Sequence, residues 1–230
     1  MNILISGANR GLGFSLTKVG LERGHYIFAG VRNISDSLLN LQEVYTDQLE
    51  ILKIDVTDEE TVVEAANSIK KNHLKIDSII NSAGVLLGRE KYIEELNLDE
   101  MMKSYDINTL GPIRIIKNFL PLLMRGDKQT IINITSEAGS ITNAYSRDYP
   151  YGLSKVALNM LSEKLNVYLK EKDIKVYSIH PGWMKTDMGG ENAPTDPMET
   201  ANGIMDIIER KVEVKSKYVF IDYNGQPMVI

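Results

Sequence analysis

A chain of 230 residues, 43% hydrophobic and 25% charged, has the size and composition of one α/β domain that buries its own core. Its 26 basic and 31 acidic residues leave a net charge of −5, which argues against general nucleic-acid binding, so any anion site must be local. It contains no cysteine, which excludes disulfides, thiolate catalysis and cysteine-based zinc sites.

His25, His73 and His180 show no metal-ligand spacing, and no metal is expected. The opening "MNILIS" lacks the basic region of a signal peptide, and no apolar run approaches the ~18 residues of a membrane span. These features imply a cytoplasmic protein with no membrane partner.

In chain order, the first strand is expected at Asn2–Ser6, and it runs directly into "GANRGLG". Gly7, Gly11 and Gly13 allow a tight turn and a close backbone approach to a pyrophosphate. The helix that follows, about 11–23, would offer its N-terminal N–H groups to the same anion. A second strand, Tyr26–Val31, ends without an acid: no Asp or Glu lies between Glu22 and Asp36, and Arg32 follows at once. An NAD site places a carboxylate there for the ribose hydroxyl, whereas a 2′-phosphate calls for arginine. Arg10 and Arg32 are therefore read as flanking one phosphate from two loops. Between them they would contribute ~2–3 kcal/mol, a preference for NADP of roughly 30- to 150-fold.

A third strand, Leu49–Ile54, precedes a helix at 58–72, with Thr57 as N-cap and Glu60 as its capping-box partner. Ser78–Asn81 is the fourth strand. Residues 98–124 carry a long apolar helical pattern, as one helix or two. Thr130–Thr135 is the fifth strand, with Ser136 at its carboxyl end, where catalytic groups of open α/β sheets gather. A helix at about 150–171 opens on Pro150, suited to a first turn. Tyr151 and Lys155 stand four residues apart on it, hence on one face. Bringing a tyrosine from pKa near 10 towards neutrality takes roughly 3–4 kcal/mol, which one cation at about 4 Å supplies at an effective dielectric of ~20. Lys155 is thus expected to lower the Tyr151 phenol by ~2–3 units.

The sixth strand, Lys175–Ile179, leads into Gly182–Asp196, an irregular stretch long enough to be a functional loop. A helix at 197–210 and a strand at Lys217–Ile221 complete the chain. The strands are mostly continuous Ile, Val and Leu, as in parallel sheets buried on both faces. Residues 1–230 are therefore expected to form a single-domain Rossmann fold, a doubly wound parallel sheet of about seven strands with helices on both faces.

Five motifs in order resemble the short-chain dehydrogenase/reductase family: "SGANRGLG", "IDV" at 54–56, "NSAG" at 81–84, "YGLSK" at 151–155 and "HPGWMKT" at 180–186. The resemblance covers essentially the whole chain. "KTDMGGENAP" and the terminal "YVFIDYNGQPMVI" resemble the C-factor and sniffer-type carbonyl reductase branch. Ser6, Ser82 and Leu153 depart from the common pattern without removing a catalytic atom.

The resemblance implies an NADPH-dependent oxidoreductase acting on a ketone or aldehyde. Its NADP(H) would be bound by Gly7, Asn9, Arg10, Gly11, Leu12, Gly13, Arg32, Asp55, Val56, Asn81, Ala83, Gly84, Tyr151, Lys155, Pro181, Gly182, Met184 and Thr186. Asp55 would contact the adenine. Tyr151 would be the general acid, assisted by Lys155. Ser136 would hold the substrate oxygen, with Ser140 and Thr135 as competitors. Asn108 would kink its helix and hold a water near Lys155. His180 is read as a packed strand-end residue. Val85–Arg89, Ile141–Tyr149 and Gly182–Asn192 would line the substrate pocket, where Tyr145, Tyr149 and Trp183 suit an aromatic or bulky apolar carbonyl compound. Relatives of this kind pair through helices matching 98–124 and 150–171, which implies a homodimer or homotetramer. An NADP-binding sensor with little turnover is the alternative.

Overall fold

The computed structural model describes residues 1–72 and 74–230; His73 lies outside the described residues. Seven parallel strands form one sheet: β1 (Asn2–Ser6), β2 (Tyr26–Val31), β3 (Leu49–Lys53), β4 (Ser78–Asn81), β5 (Thr130–Ile134), β6 (Lys175–His180) and β7 (Phe220–Asp222). Their order across the sheet is β3-β2-β1-β4-β5-β6-β7. The direction of winding reverses between β1 and β4, and a crevice at the carboxyl ends of the strands is the outcome.

Period-two alternation sends neighbouring residues to opposite faces. Ile3 and Ile5 of β1 pack with α1 (Gly11–Glu22), α2 (Asp36–Val44) and α7 (Pro197–Ile208). Leu4 between them packs on the other face with α3 (Glu59–Lys71), α5 (Gly111–Leu123) and α6 (Tyr149–Leu169). Both layers are fully covered, with Phe28 and Phe119 wholly buried in the second. This is the doubly wound Rossmann sheet expected from the strand composition.

Three local expectations change. A helix that the pattern did not reveal, α2, follows Ser35, whose hydroxyl accepts from Leu38 N. Asp58, not Thr57, caps α3 by accepting from Glu60 N, because Thr57 is already committed to the Asp55 carboxylate through both its N–H and its hydroxyl. The last strand is short and starts at Phe220, after the polar pair Lys217 and Tyr218. The long pattern at 98–124 resolves into α4 (Leu98–Tyr105) and α5, joined without a break by a π-helical turn at Asp106–Leu110. Pro150 occupies the first turn of α6 as expected.

Candidate active site

The loops after β1, β2, β3, β4 and β6 enclose a groove of 570 Å³ at the carboxyl edge of the sheet. The glycine loop forms one wall. Gly7 and Gly11 adopt left-handed φ of +72° and +53°, and a Cβ on Gly13 would lie 2.1 Å from Gly7 O, so no side chain fits there. Arg10 precedes α1 without a side-chain cap. The first N–H groups of that helix are therefore left for an anion. Asn9 accepts from Ser35 N at 2.8 Å, tying the glycine loop to the segment after Arg32.

Arg10 and Arg32 both line the groove, as do Asp55 and Val56. Burial alone would raise the Asp55 carboxyl, but its hydrogen bonds from Thr57 and the charges of Arg32 and Arg114 hold it below the usual range. Arg10 is paired with a carboxylate of the segment after β6. It reaches across the groove to Asp187 at 2.9 Å, with the two side chains 74% and 78% exposed.

A second cavity, of 380 Å³, adjoins the groove. Ser136, Glu137, Tyr145, His180 and Trp183 are among its lining residues. Thr135, Tyr151 and Pro181 line both spaces, so Tyr151 stands at the junction. Ser136 lines the second cavity with Tyr151 and acts to lower the phenol's pKa against burial. Ser140 is 3% exposed and engaged with Thr142 and Asn143, away from the cavity. Ile141 and Tyr149 do not line it.

Lys155 lies one turn beyond Tyr151 on α6, 4% exposed. Its Nζ sits 5.3 Å from the centre of the Tyr151 ring and donates to Ile134 O at 2.8 Å. The electrostatics differ from the sequence expectation. Burial pushes the phenol up to about 12, aided by Asp148 and opposed by Ser136 and Arg89. Burial also brings Lys155 down to about 8. Desolvation dominates here: burial raises the phenol and lowers the amine, which lies over the ring.

Asn108 lies in the π-helical turn, as the expected kink requires, but its side chain is spent. Its Oδ1 accepts from Val85 N, and its Nδ2 donates to Val85 O and Ser154 Oγ, each at 2.9 Å. Both amide hydrogens are used, so the Asn108 side chain fixes the loop after β4. Gly84 sits between: a Cβ there would lie 3.3 Å from Asn108 Oδ1 and 3.8 Å from Lys155 Nζ.

Two expected cofactor contacts fall elsewhere. Asn81 is 2% exposed and donates to Asn133 across the β4–β5 register, because alternation turns it into the α6 face of the sheet rather than the groove. Gly182 lines the second cavity and not the groove. The other expected residues, Gly7, Asn9, Arg10, Gly11, Leu12, Gly13, Arg32, Asp55, Val56, Ala83, Gly84, Tyr151, Lys155, Pro181, Met184 and Thr186, all line the groove. Sequence reasoning missed Glu137 and His180 in the second cavity. Their adjacency to Ser136 and to the Pro181–Gly182 turn was the available signal.

Among the described residues, no helix is long and apolar enough to cross a membrane. The profile of a family described as short chain dehydrogenase matches residues 1–197. The chain is 32% identical to the protein named C-signal of Myxococcus xanthus over 151 residues, 65% of this chain and 90% of that one. It superposes on the carbonyl reductase Sniffer of D. melanogaster with a TM-score of 0.91 and 31% identity, covering 100% of this chain and 99% of the other. An NADPH-bound carbonyl reductase from chicken fatty liver superposes with a TM-score of 0.86 and 29% identity, covering 100% and 98%.

Proposed function

The chain belongs to the short-chain dehydrogenase/reductase family, and from that premise we propose that it is an NADPH-dependent carbonyl reductase with Tyr151 as its general acid. One observation carries the reading: Tyr151, which shares the second cavity with Ser136, stands where the glycine-lined groove opens into that cavity.

The groove suits NADP(H). The uncapped start of α1 and the crowding at Gly13 fit a pyrophosphate, Asp55 fits an adenine amino group, and Arg10 with Arg32 fits a 2′-phosphate. When bound, the cofactor supplies the hydride. The chain's own residues do the rest. Ser136 accepts from Ala138 N through one lone pair, which leaves its O–H to donate to a carbonyl oxygen. Tyr151 stays protonated at neutral pH and can give its proton to that oxygen as charge develops on it. Lys155 holds positive charge beside the ring. Asn108 and Gly84 keep the loop after β4 clear of Lys155.

Tyr145 and Trp183 favour aromatic or bulky apolar carbonyl compounds. The chain is read as one domain. Exposed Leu98, Met102, Tyr105, Leu153 and Met160 on α4 and α6 support a homodimer or homotetramer.

The test is NADPH oxidation with a panel of aldehydes and ketones, comparing wild type with Tyr151→Phe. Turnover that the variant loses supports the reading. NADPH binding without turnover on any carbonyl, unaffected by Tyr151→Phe, would favour an NADP-binding sensor.

A further inference from the structure

The turn that carries Ser136 is short, and its N–H groups can be accounted for one by one. Ala138 N donates to Ser136 Oγ, Gly139 N to Ser136 O and Ser140 N to Glu137 O. The remaining one, Glu137 N, donates to His180 Nδ1 at 3.1 Å. Of these four bonds it is the one that ties the turn to another element. His180 ends β6 and pairs in register with Asp222 of β7, while β6 pairs with β5 through Ile134 and Ile179. Thr200 Oγ1 on α7 donates to Pro181 O, which fixes the residue after His180 from behind.

We propose that His180 is a positioning residue: its neutral imidazole, carrying its proton on Nε2, anchors the Glu137 amide and so sets where the Ser136 hydroxyl points. The inference rests on the carbonyl-reductase reading for its kinetic consequence, but not for the hydrogen bond. A protonated imidazole presents an N–H at Nδ1, which faces the Glu137 N–H donor to donor, and the turn loses its anchor.

The groups that bear on the ring are Glu137 of the turn and Asp222 of β7; Tyr151, Tyr145, Asp148 and Arg89 share the cavity with it. The two carboxylates favour the charged ring. Burial opposes them more strongly, and the His180 pKa lies below its usual value. The neutral form therefore holds through neutral pH and gives way in mild acid. The acid limb is diagnostic, since a general acid such as Tyr151 gains nothing from deprotonation and predicts no loss of reductase activity in acid.

Two measurements test this. The first needs no turnover. Two-bond 1H–15N spectra of wild-type protein should show His180 as the Nε2–H tautomer, and hydrogen exchange should show the Glu137 amide protected. That protection should persist in His180→Asn, whose side-chain oxygen can accept, and be lost in His180→Leu. An Nδ1–H tautomer, or equal protection in both variants, overturns the proposal. The second follows NADPH oxidation by 4-nitrobenzaldehyde from pH 4.5 to 8. Wild-type kcat should fall at least 5-fold at the acid end of this range, below the ordinary imidazole pKa. His180→Asn should recover to within about 5-fold of wild type at pH 7 and lose the acid limb. His180→Leu should lose at least 20-fold in kcat at pH 7, the gap to wild type closing in acid where wild type loses the same anchor, with NADPH affinity within 2-fold, which also reports that it is folded. An acid limb kept in His180→Asn overturns it. If wild type reduces no carbonyl while the Nε2–H tautomer and the protection pattern hold, the carbonyl-reductase reading fails and the anchor stands.

Discussion

Lys155 Nζ donates to the carbonyl oxygen of Ile134, the last residue of β5, at 2.8 Å. The bond holds a buried ammonium at the strand end, beside the Tyr151 ring. No carboxylate is among the causes acting on it; burial sets its pKa.

Stability should therefore depend on pH through Lys155. Its folded pKa, about 8, lies below the ordinary 10.5, so the unfolded chain binds more protons between these values and stability rises with pH across that window. Below about pH 8 the full penalty is present, on the order of 3 kcal/mol. Lys155→Met should be more stable than wild type at pH 7, by up to about 2–3 kcal/mol, and the advantage should shrink towards pH 10.5. Urea unfolding at pH 7 and 10 measures this. An unchanged difference would mean that burial does not govern the amine.

Activity should show the same group. The kcat/KM for carbonyl reduction should decline above about pH 8 as Lys155 loses its proton, because this quantity reports the free enzyme. Tyr151, pushed up to about 12, should not contribute below pH 10. A profile flat to pH 10 would remove Lys155 from the proton chemistry.

Under the proposed function, Tyr151→Phe removes the general acid and leaves the ring. A 10²- to 10⁴-fold drop in kcat is expected, with NADPH affinity within about 3-fold of wild type. Stopped-flow kinetics and fluorescence titration separate the two.

Arg10 and Arg32 should set cofactor choice. The Arg10–Asp187 pair is exposed on both sides, so releasing it costs little, of order 0–1 kcal/mol. The double variant Arg10→Ala/Arg32→Ala should bind NADPH roughly 30- to 150-fold more weakly while NADH changes by less than about 3-fold. Equal weakening for both dinucleotides would place the two arginines away from the 2′-phosphate.

Asn108→Ala leaves the Val85 N–H and C=O without their partner and should destabilise the fold by about 2–3 kcal/mol. Asn108→Asp can still accept from Val85 N but cannot donate to Val85 O or Ser154, and should be no better. Denaturant midpoints that do not move would show the clasp to be dispensable.

The sheet was legible because its strands are blocks of Ile, Val and Leu, and the glycine loop because it joins such a block to a helix. Helix α2 was not, since Leu38 is its one buried residue and its apolar stripe is thin. At Thr57–Asp58 two residues of capping type stand side by side, and sequence cannot say which is already engaged elsewhere. Asn81 was misplaced because a motif names a position but not the face its side chain takes. The Tyr151–Lys155 pair was found at once from its spacing. Its electrostatics were not, because desolvation depends on everything packed around α6.

The π-helical turn at Asp106–Leu110 sets a boundary on redesign. Removing one residue there would bring α4 and α5 into one α-helical register and put Pro112, which has no N–H to donate, in the interior of that helix. It would also swing one half of that rod by about 100° relative to the other. Asn108 would leave Val85, and nothing would hold the loop after β4 against the groove.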